Sequence, residues 1–284
     1  MTIAISLRVN DGVVLAADSA TSLMVQNPGG GAPLVANVYN NANKIFNLRK
    51  GLPIGLITWG SGSIGSASIA TLVKDLRRRL TGGNDWALDA QNYSVTAVAE
   101  RVKEFFLVEH YTPAFAAWPI KPPLGFVIAG YSSGSPVPEE YMIQIDNTGA
   151  CTGPVALRQA DQVGVTWNGF PEPITRLIFG IASNLPQLIM DQLPEEQRAA
   201  VGRAIEIARP VLQVPLVQAA MPLQDAIDLA EYLAELTIGF SRFAPGASVV
   251  GGPVEIAAIT KHEGFKWVSR KYYFQRDLNP EETR

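Results

Sequence analysis

Two short apolar runs open the chain. The first is Thr2-Ile3-Ala4-Ile5-Ser6-Leu7 and the second Val13-Val14-Leu15-Ala16-Ala17, with Asn10-Asp11-Gly12 between them. An Asp-Gly pair flanked by β-branched and aliphatic residues predicts an antiparallel hairpin over 2–18. The stretch 24–43 changes character, with Asn-Pro-Gly-Gly-Gly-Ala-Pro and repeated asparagines, and predicts a surface loop holding one short strand at 34–38. A second strand pair is predicted at 44–48 and 54–59, turning at Lys50-Gly51. After Gly60-Ser61-Gly62 the period changes. Ile69, Leu72, Val73, Leu76 and Leu80 hold helical spacing, which predicts a helix over 64–80 and, beyond a loop at 81–89, another over 95–111.

Strand signals return at 125–131, 140–146 and 161–167. Helical patterns follow at 174–190, 195–208 and 223–240, interrupted by Leu193-Pro194 and by the proline-rich segment 209–222. A last hairpin is predicted at 254–260 and 265–269, around His262-Glu263-Gly264. Strands and helices thus come in segregated runs, which predicts a layered α+β fold rather than alternating βαβ units. Two helical layers enclosing two antiparallel sheets, α-β-β-α, is the simplest packing, because each sheet then has both faces covered.

Composition narrows the class. The 284 residues are 47% hydrophobic and 17% charged, enough to bury one large core, and a single domain over 1–284 is expected. A net charge of −3 offers no basic field for nucleic acid or an anionic membrane. The one dense basic run, Arg77-Arg78-Arg79, sits where it would favour a helix C-terminus. Cys151 is the single cysteine, so no intramolecular disulfide can form. His110 and His262 are far apart, with no cysteine cluster beside them, and neither a metal nor a cofactor is expected. No signal-peptide pattern and no apolar run of membrane-spanning length is present, which predicts a cytoplasmic protein with no membrane partner.

The chemistry is sought at the start of the chain. A small residue at position two lets methionine aminopeptidase remove Met1 and expose Thr2. A free threonine amine beside its own hydroxyl is nucleophile and base together, since an α-amine titrates at roughly 7.7–8.0. Asp18 ends the second strand, and Lys44 follows in Asn43-Lys44-Ile45-Phe46. A cationic Lys44 paired with Asp18 would favour the reactive form of the threonine. Gly60 ends a strand, and its N–H can serve as an oxyanion donor. The trio Thr2, Asp18 and Lys44 reads as the active site of an N-terminal threonine hydrolase. The plainer readings are a turn cap for Asp18 and an edge-strand lysine for Lys44. Gly60-Ser61-Gly62-Ser63-Ile64-Gly65 also has the form of a dinucleotide fingerprint, but no parallel strand ending in an acidic residue is predicted after its helix.

The segments Thr-Ile-Ala-Ile, Asp-Gly-Val-Val-Leu-Ala-Ala-Asp-Ser, Asn-Lys-Ile-Phe and Ile-Thr-Trp-Gly-Ser-Gly together resemble a proteasome β-subunit. The resemblance is specific through about residue 80. Later it rests on Phe126-Val127-Ile128-Ala129-Gly130 and on Ser-Val-Val-Gly-Gly-Pro-Val-Glu-Ile, a run closer to the bacterial ancestral β-subunit (Anbu) type than to the classical proteasome type. It implies an N-terminal nucleophile (Ntn) hydrolase sandwich and a threonine endopeptidase. Thr2 would be the nucleophile, Asp18 and Lys44 would assist it, and the Gly60 N–H would form the oxyanion hole.

Against that family the loop at 24–43 and the helical region at 185–222 are long. The resemblance further implies that an extended peptide pairs with the backbone at Ser22, Gly60 and Gly62. Thr21, Ala42, Phe46 and Thr58 would wall the pocket before the scissile bond, core packing being the alternative for Phe46. Two departures stand out. Asn168 is the best match for the family's amine-binding serine, and Ala247 and Val250 stand where a later Asp and Ser are expected. The implied partners are a peptide or unfolded-protein substrate and further copies of the chain in a ring or helical stack. An ATPase partner has no support in the sequence. The competing readings are a small-molecule acyl amidase of the same class and a catalytically silent ring or scaffold subunit.

Overall fold

The computed structural model describes residues 2–25, 34–83 and 85–272. Met1 and the glycine-rich centre of the predicted 24–43 loop lie outside the described residues. The chain opens with β1 (Ile3–Val9) and β2 (Gly12–Ala17), the expected hairpin. Strands β3 (Thr21–Val25) and β4 (Leu34–Tyr39) then pair with each other, so the predicted loop region contains a two-stranded ribbon rather than one short strand. Next come β5 (Ile45–Asn47), β6 (Ile54–Gly60) and the two-residue strands β7 (Ser63–Ile64) and β8 (Ala67–Ser68).

Helix α1 (Ile69–Thr81) begins where Ser68 caps it, its side chain accepting from the Thr71 N–H, and ends at Gly82. Its buried face is Ile69, Leu72, Val73, Leu76 and Leu80, the residues whose spacing predicted it. Arg77 and Arg79 do more than favour the helix terminus. The Arg77 Nε donates to Asn47 O at 2.7 Å, and Arg79 pairs with Glu109 at 2.8 Å while stacking over Trp86 and Phe105. The second predicted helix is composite. It runs as α2 (Val95–Lys103), a π-helical stretch (Glu104–Tyr111) and α3 (Thr112–Phe115). Widened hydrogen bonds in that stretch let the adjacent Phe105 and Phe106 both enter the core.

Strands β9 (Leu124–Gly130), β10 (Glu139–Ile145), β11 (Cys151–Ala156) and β12 (Gly164–Gly169) follow. Strand β11 has no counterpart among the predicted elements, and the strand predicted at 161–167 lies two to three residues further on. The helix predicted over 174–190 is two helices, α4 (Glu172–Phe179) and α5 (Leu185–Asp191), because Gly180 adopts a left-handed conformation that ends the first. Then come α6 (Glu195–Leu212), α7 (Leu223–Phe243), β13 (Glu255–Thr260) and β14 (Gly264–Ser269).

The fold is mixed α and β, and the described residues form two five-stranded antiparallel sheets. Their strand orders are β12-β1-β2-β13-β14 and β11-β10-β9-β6-β5. Among the described residues, three apolar clusters fill the interior. One packs α1, α2 and the π-helical stretch against Phe46, Leu56, Phe126 and Ile128 of the second sheet. Another packs α4 and α7 against Ile3, Ile5, Leu7 and Ala16 of the first. The third joins Ala4, Val13, Leu15 and Ala17 of the first sheet to Ile45, Ile57, Val127 and Ala129 of the second. Strand β2 is buried on both faces, which explains its unbroken apolar run.

A polar tie also crosses between the sheets. Ser6 donates to Glu140 at 2.5 Å, Glu140 pairs with Arg158 at 2.5 Å, and Arg158 donates to Thr166 at 2.7 Å. Both members of this buried ion pair have hydrogen-bond partners, as burial of charge requires. Among the described residues, no helix is long and apolar enough to cross a membrane.

Candidate active site

The strand order places β1 inside the first sheet, between β12 and the central strand β2. Ile3, Ile5, Leu7 and Val9 point to the helices, so the two-residue alternation puts Thr2, Ala4 and Ser6 on the face toward the second sheet. Thr2 is 5% exposed. On one side β12 runs antiparallel, with Asn168 opposite Ala4 and Gly169 opposite Ile3. Cross-strand partners share a face, so Asn168 lies on the same face as Thr2, one step along the ladder. Gly169 has φ +96°, and a Cβ there would sit 2.1 Å from the Thr2 carbonyl oxygen. Only glycine allows β12 to reach the beginning of β1.

Asp18 is completely buried, and both of its carboxylate oxygens are satisfied. Oδ1 accepts from the Ile3 N–H at 3.0 Å and from Lys44 Nζ at 2.5 Å. Oδ2 accepts from the N–H groups of Ala20 and Gly251, each at 3.0 Å. The carboxylate therefore does not merely cap its own turn. It ties the beginning of β1 to Lys44 and to the loop before β13. Lys44 is 5% exposed, so it is no solvent-facing edge lysine. Burial pulls its pKa below the ordinary lysine range, opposed by the charge and hydrogen bond of Asp18.

Gly60 closes β6 with φ +92°, and a Cβ there would lie 2.3 Å from the Pro123 carbonyl oxygen. The Thr58 N–H donates toward β5, to Lys44 O at 3.0 Å, whereas the Ser61 N–H donates toward β9, to Pro123 O at 2.9 Å. Strand alternation then directs the Gly60 N–H to the Lys44 side of the sheet.

The residues expected to hold substrate divide into two sets. Thr21 and Ser22 begin β3 half-buried, and the Thr21 hydroxyl would lie 3.2 Å from a Cβ placed on Gly62, so these segments face each other. The Ala42 N–H donates to Ser19 O at 2.9 Å, beside Asp18. Phe46 and Thr58 instead are buried on the helix side of the second sheet. Phe46 packs in the core with Leu56 and Ile69, and Thr58 donates its hydroxyl to Gly125 O at 3.0 Å.

A second ion pair borders the site, and the sequence reading missed it. Lys271, just past β14, lies 2.8 Å from Glu255 Oε2 and donates to Ser19 Oγ at 2.7 Å and to Ala42 O at 2.8 Å. The available signal was Glu255 itself, a charged residue opening the otherwise apolar run Ile256-Ala257-Ala258-Ile259.

Elsewhere, Cys151 is half-buried on β11, and burial raises its thiol pKa, away from the nucleophilic thiolate. The glycine-rich run 60–65 leads through β7 and β8 into α1, and every pairing in both large sheets is antiparallel, unlike a dinucleotide-binding unit. Among the described residues, no group of three His, Cys, Asp or Glu side chains is placed to hold a metal ion.

No protein-family profile matches the chain, and no curated protein sequence does. Solved structures do. One is the protein in the helical assembly of the Anbu complex from Pseudomonas aeruginosa, with a TM-score of 0.51 and 12% identity over 95% of this chain and 88% of that one. Anbu (ancestral β-subunit) from Yersinia bercovieri has a TM-score of 0.46 at 12% identity, over 94% and 87% of the two chains. A Gly-1 mutant of Anbu from Hyphomicrobium sp. strain MC1 has a TM-score of 0.46 at 14% identity, over 95% and 86%. At such identity the first likeness establishes a proteasome-like fold and nothing about chemistry.

Proposed function

We propose that the chain is a threonine-type peptide or amide hydrolase, an Ntn hydrolase of four-layer α-β-β-α build occupying residues 1–284 as one domain. The observation that carries this reading is the shared oxygen of Asp18. It binds the N–H of the residue after Thr2 and the Lys44 ammonium together, inside a buried site. With Met1 removed, Thr2 Oγ1 attacks the substrate carbonyl carbon and its proton passes to the α-amine. The resulting oxyanion takes the Gly60 N–H, and collapse expels the leaving amine, which takes the proton back. Water then hydrolyses the threonine ester. The nearby cation favours the free amine and the developing alkoxide, and Asn168 holds the amine from the neighbouring strand. Neither metal nor cofactor enters the scheme.

The substrate reading is an extended peptide or unfolded protein, lying between the Thr21–Ser22 segment and Gly60–Gly62. The chain assembles with copies of itself, a reading supported by the helical assembly named for the Pseudomonas aeruginosa protein and by exposed apolar side chains on α6. A silent scaffold subunit is the second reading. It is favoured by Ala247 and Val250, which cannot supply the polar support that the resemblance implies there.

The test is a threonine-directed electrophile, an epoxyketone, read by intact mass. Wild-type protein lacking Met1 should gain one adduct, and Thr2→Ala should gain none while melting at an unchanged temperature. An unreactive, correctly trimmed wild type would leave the scaffold reading. Peptide and simple acyl-amide substrates, compared side by side, separate a peptidase from a small-molecule amidase.

A further inference from the structure

We propose that Lys271, ion-paired with Glu255, is a positioning residue that holds the Asp18–Lys44 pair in register with the beginning of β1. This rests on the reading of Thr2 as nucleophile. Lys271 comes from the far end of the chain, yet its ammonium touches the two segments that deliver the pair. It donates to the hydroxyl of Ser19, the residue after Asp18, and to the carbonyl of Ala42, two residues before Lys44. Ser19 in turn donates to Pro253 O at 2.6 Å, and its own N–H donates to Gly251 O at 2.9 Å. Gly251 then returns to Asp18 through its N–H. One ammonium thus closes a ring of hydrogen bonds through the end of β2, the approach to β5 and the loop before β13. Glu255 is 2% exposed, and the Lys271 ion pair compensates its buried charge.

The arrangement has an electrostatic consequence that packing alone would not produce. The charged groups acting on Lys44 are Asp18, Lys271 and Glu255, while Arg270 acts on Lys271. Lys271 lowers the pKa of Lys44 and Glu255 raises it, the lysine having the larger effect. Removing each charge should therefore move the alkaline limb of Thr2 reactivity in opposite directions.

The experiment is epoxyketone adduct formation at Thr2 in the full chain, timed by intact mass across about pH 6 to pH 11, where amines and lysines titrate. Lys271→Met should react roughly tenfold more slowly at neutral pH, the scale of a small misplacement of reacting groups, with its alkaline limb moved to higher pH. Lys271→Arg, which keeps the charge and the donors, should recover most of the rate and leave the limb in place. Glu255→Gln should move the limb to lower pH. A folded Lys271→Met with unchanged rate and limb overturns the proposal while leaving Thr2 as the nucleophile. If Lys271→Met does not fold, Glu255→Gln decides, since an unmoved limb there is equally fatal. A wild type that takes no adduct removes the nucleophile reading and this role with it.

Discussion

Asp18 is completely buried and takes four donors on two oxygens, so its removal strands the Lys44 ammonium and three backbone N–H groups. Losing one partner of a buried ion pair costs about 3–5 kcal/mol. Asp18→Ala should lower the urea midpoint by that scale, and a loss within surface-mutation scatter would show that the pair contributes little. Lys44 adds a pH dependence of known sign. Burial, the larger cause, holds its pKa below the unfolded value, with Asp18 opposing. Between the lowered value and the ordinary one, about 10.4, the unfolded chain binds more protons. Stability then rises with pH through that window. Wild type should therefore gain stability relative to Lys44→Met as pH climbs from neutrality toward that value, measured by urea unfolding at both ends. At this scale Thr2, Asp18, Lys44 and Gly60 were legible, because each sits at a strand start or end that local patterning marks. Lys271 was not, since nothing near it in sequence signals a contact with Ser19.

Elements were legible in proportion to how much of one face they bury. Helix α1 was readable because five apolar side chains hold one stripe, and Leu76→Ala in that stripe should cost about 2–5 kcal/mol by thermal or urea unfolding. Strand β11 was missed because it is a half-exposed edge strand interrupted by Gly153-Pro154, with no alternation to detect. Helix α6 runs on to Leu212 past Pro210, although the usual rule stops a helix before proline. So near the C-terminal end the proline removes only one intrahelical hydrogen bond. The contact of β12 with β1 yields another test. Gly169→Ala would push a methyl into the Thr2 carbonyl at a positive φ. It should slow epoxyketone capture at Thr2 by more than its loss of stability explains, because the peptide of Thr2 itself must shift.

At the level of the whole molecule, several elements expose apolar side chains, and α6 carries the most exposed of them. No side chain of α6 is buried, and Ile207 and Val211, one turn apart, are 72% and 83% exposed. A free monomer gains nothing by presenting such a stripe, and a second copy of the chain would bury it. Sedimentation velocity should show assemblies larger than the monomer, and Val211→Asp should shift them toward it while leaving the melting temperature nearly unchanged. A monomeric wild type would count against assembly through this helix.

The sequence by itself determined the hairpin that begins the chain, the apolar stripe of α1 and the order of Thr2, Asp18, Lys44 and Gly60. These are consequences of local turn chemistry and of the two periodicities, which a chain carries before it folds. Tertiary structure alone decided what surrounds the carboxylate. Gly251 reaches Asp18 across 233 residues, and Lys271 reaches Ser19 across 252. Such contacts are made by the closing of the first sheet around β2 and β13, and a hydrogen bond between segments so far apart leaves no pattern in either of them.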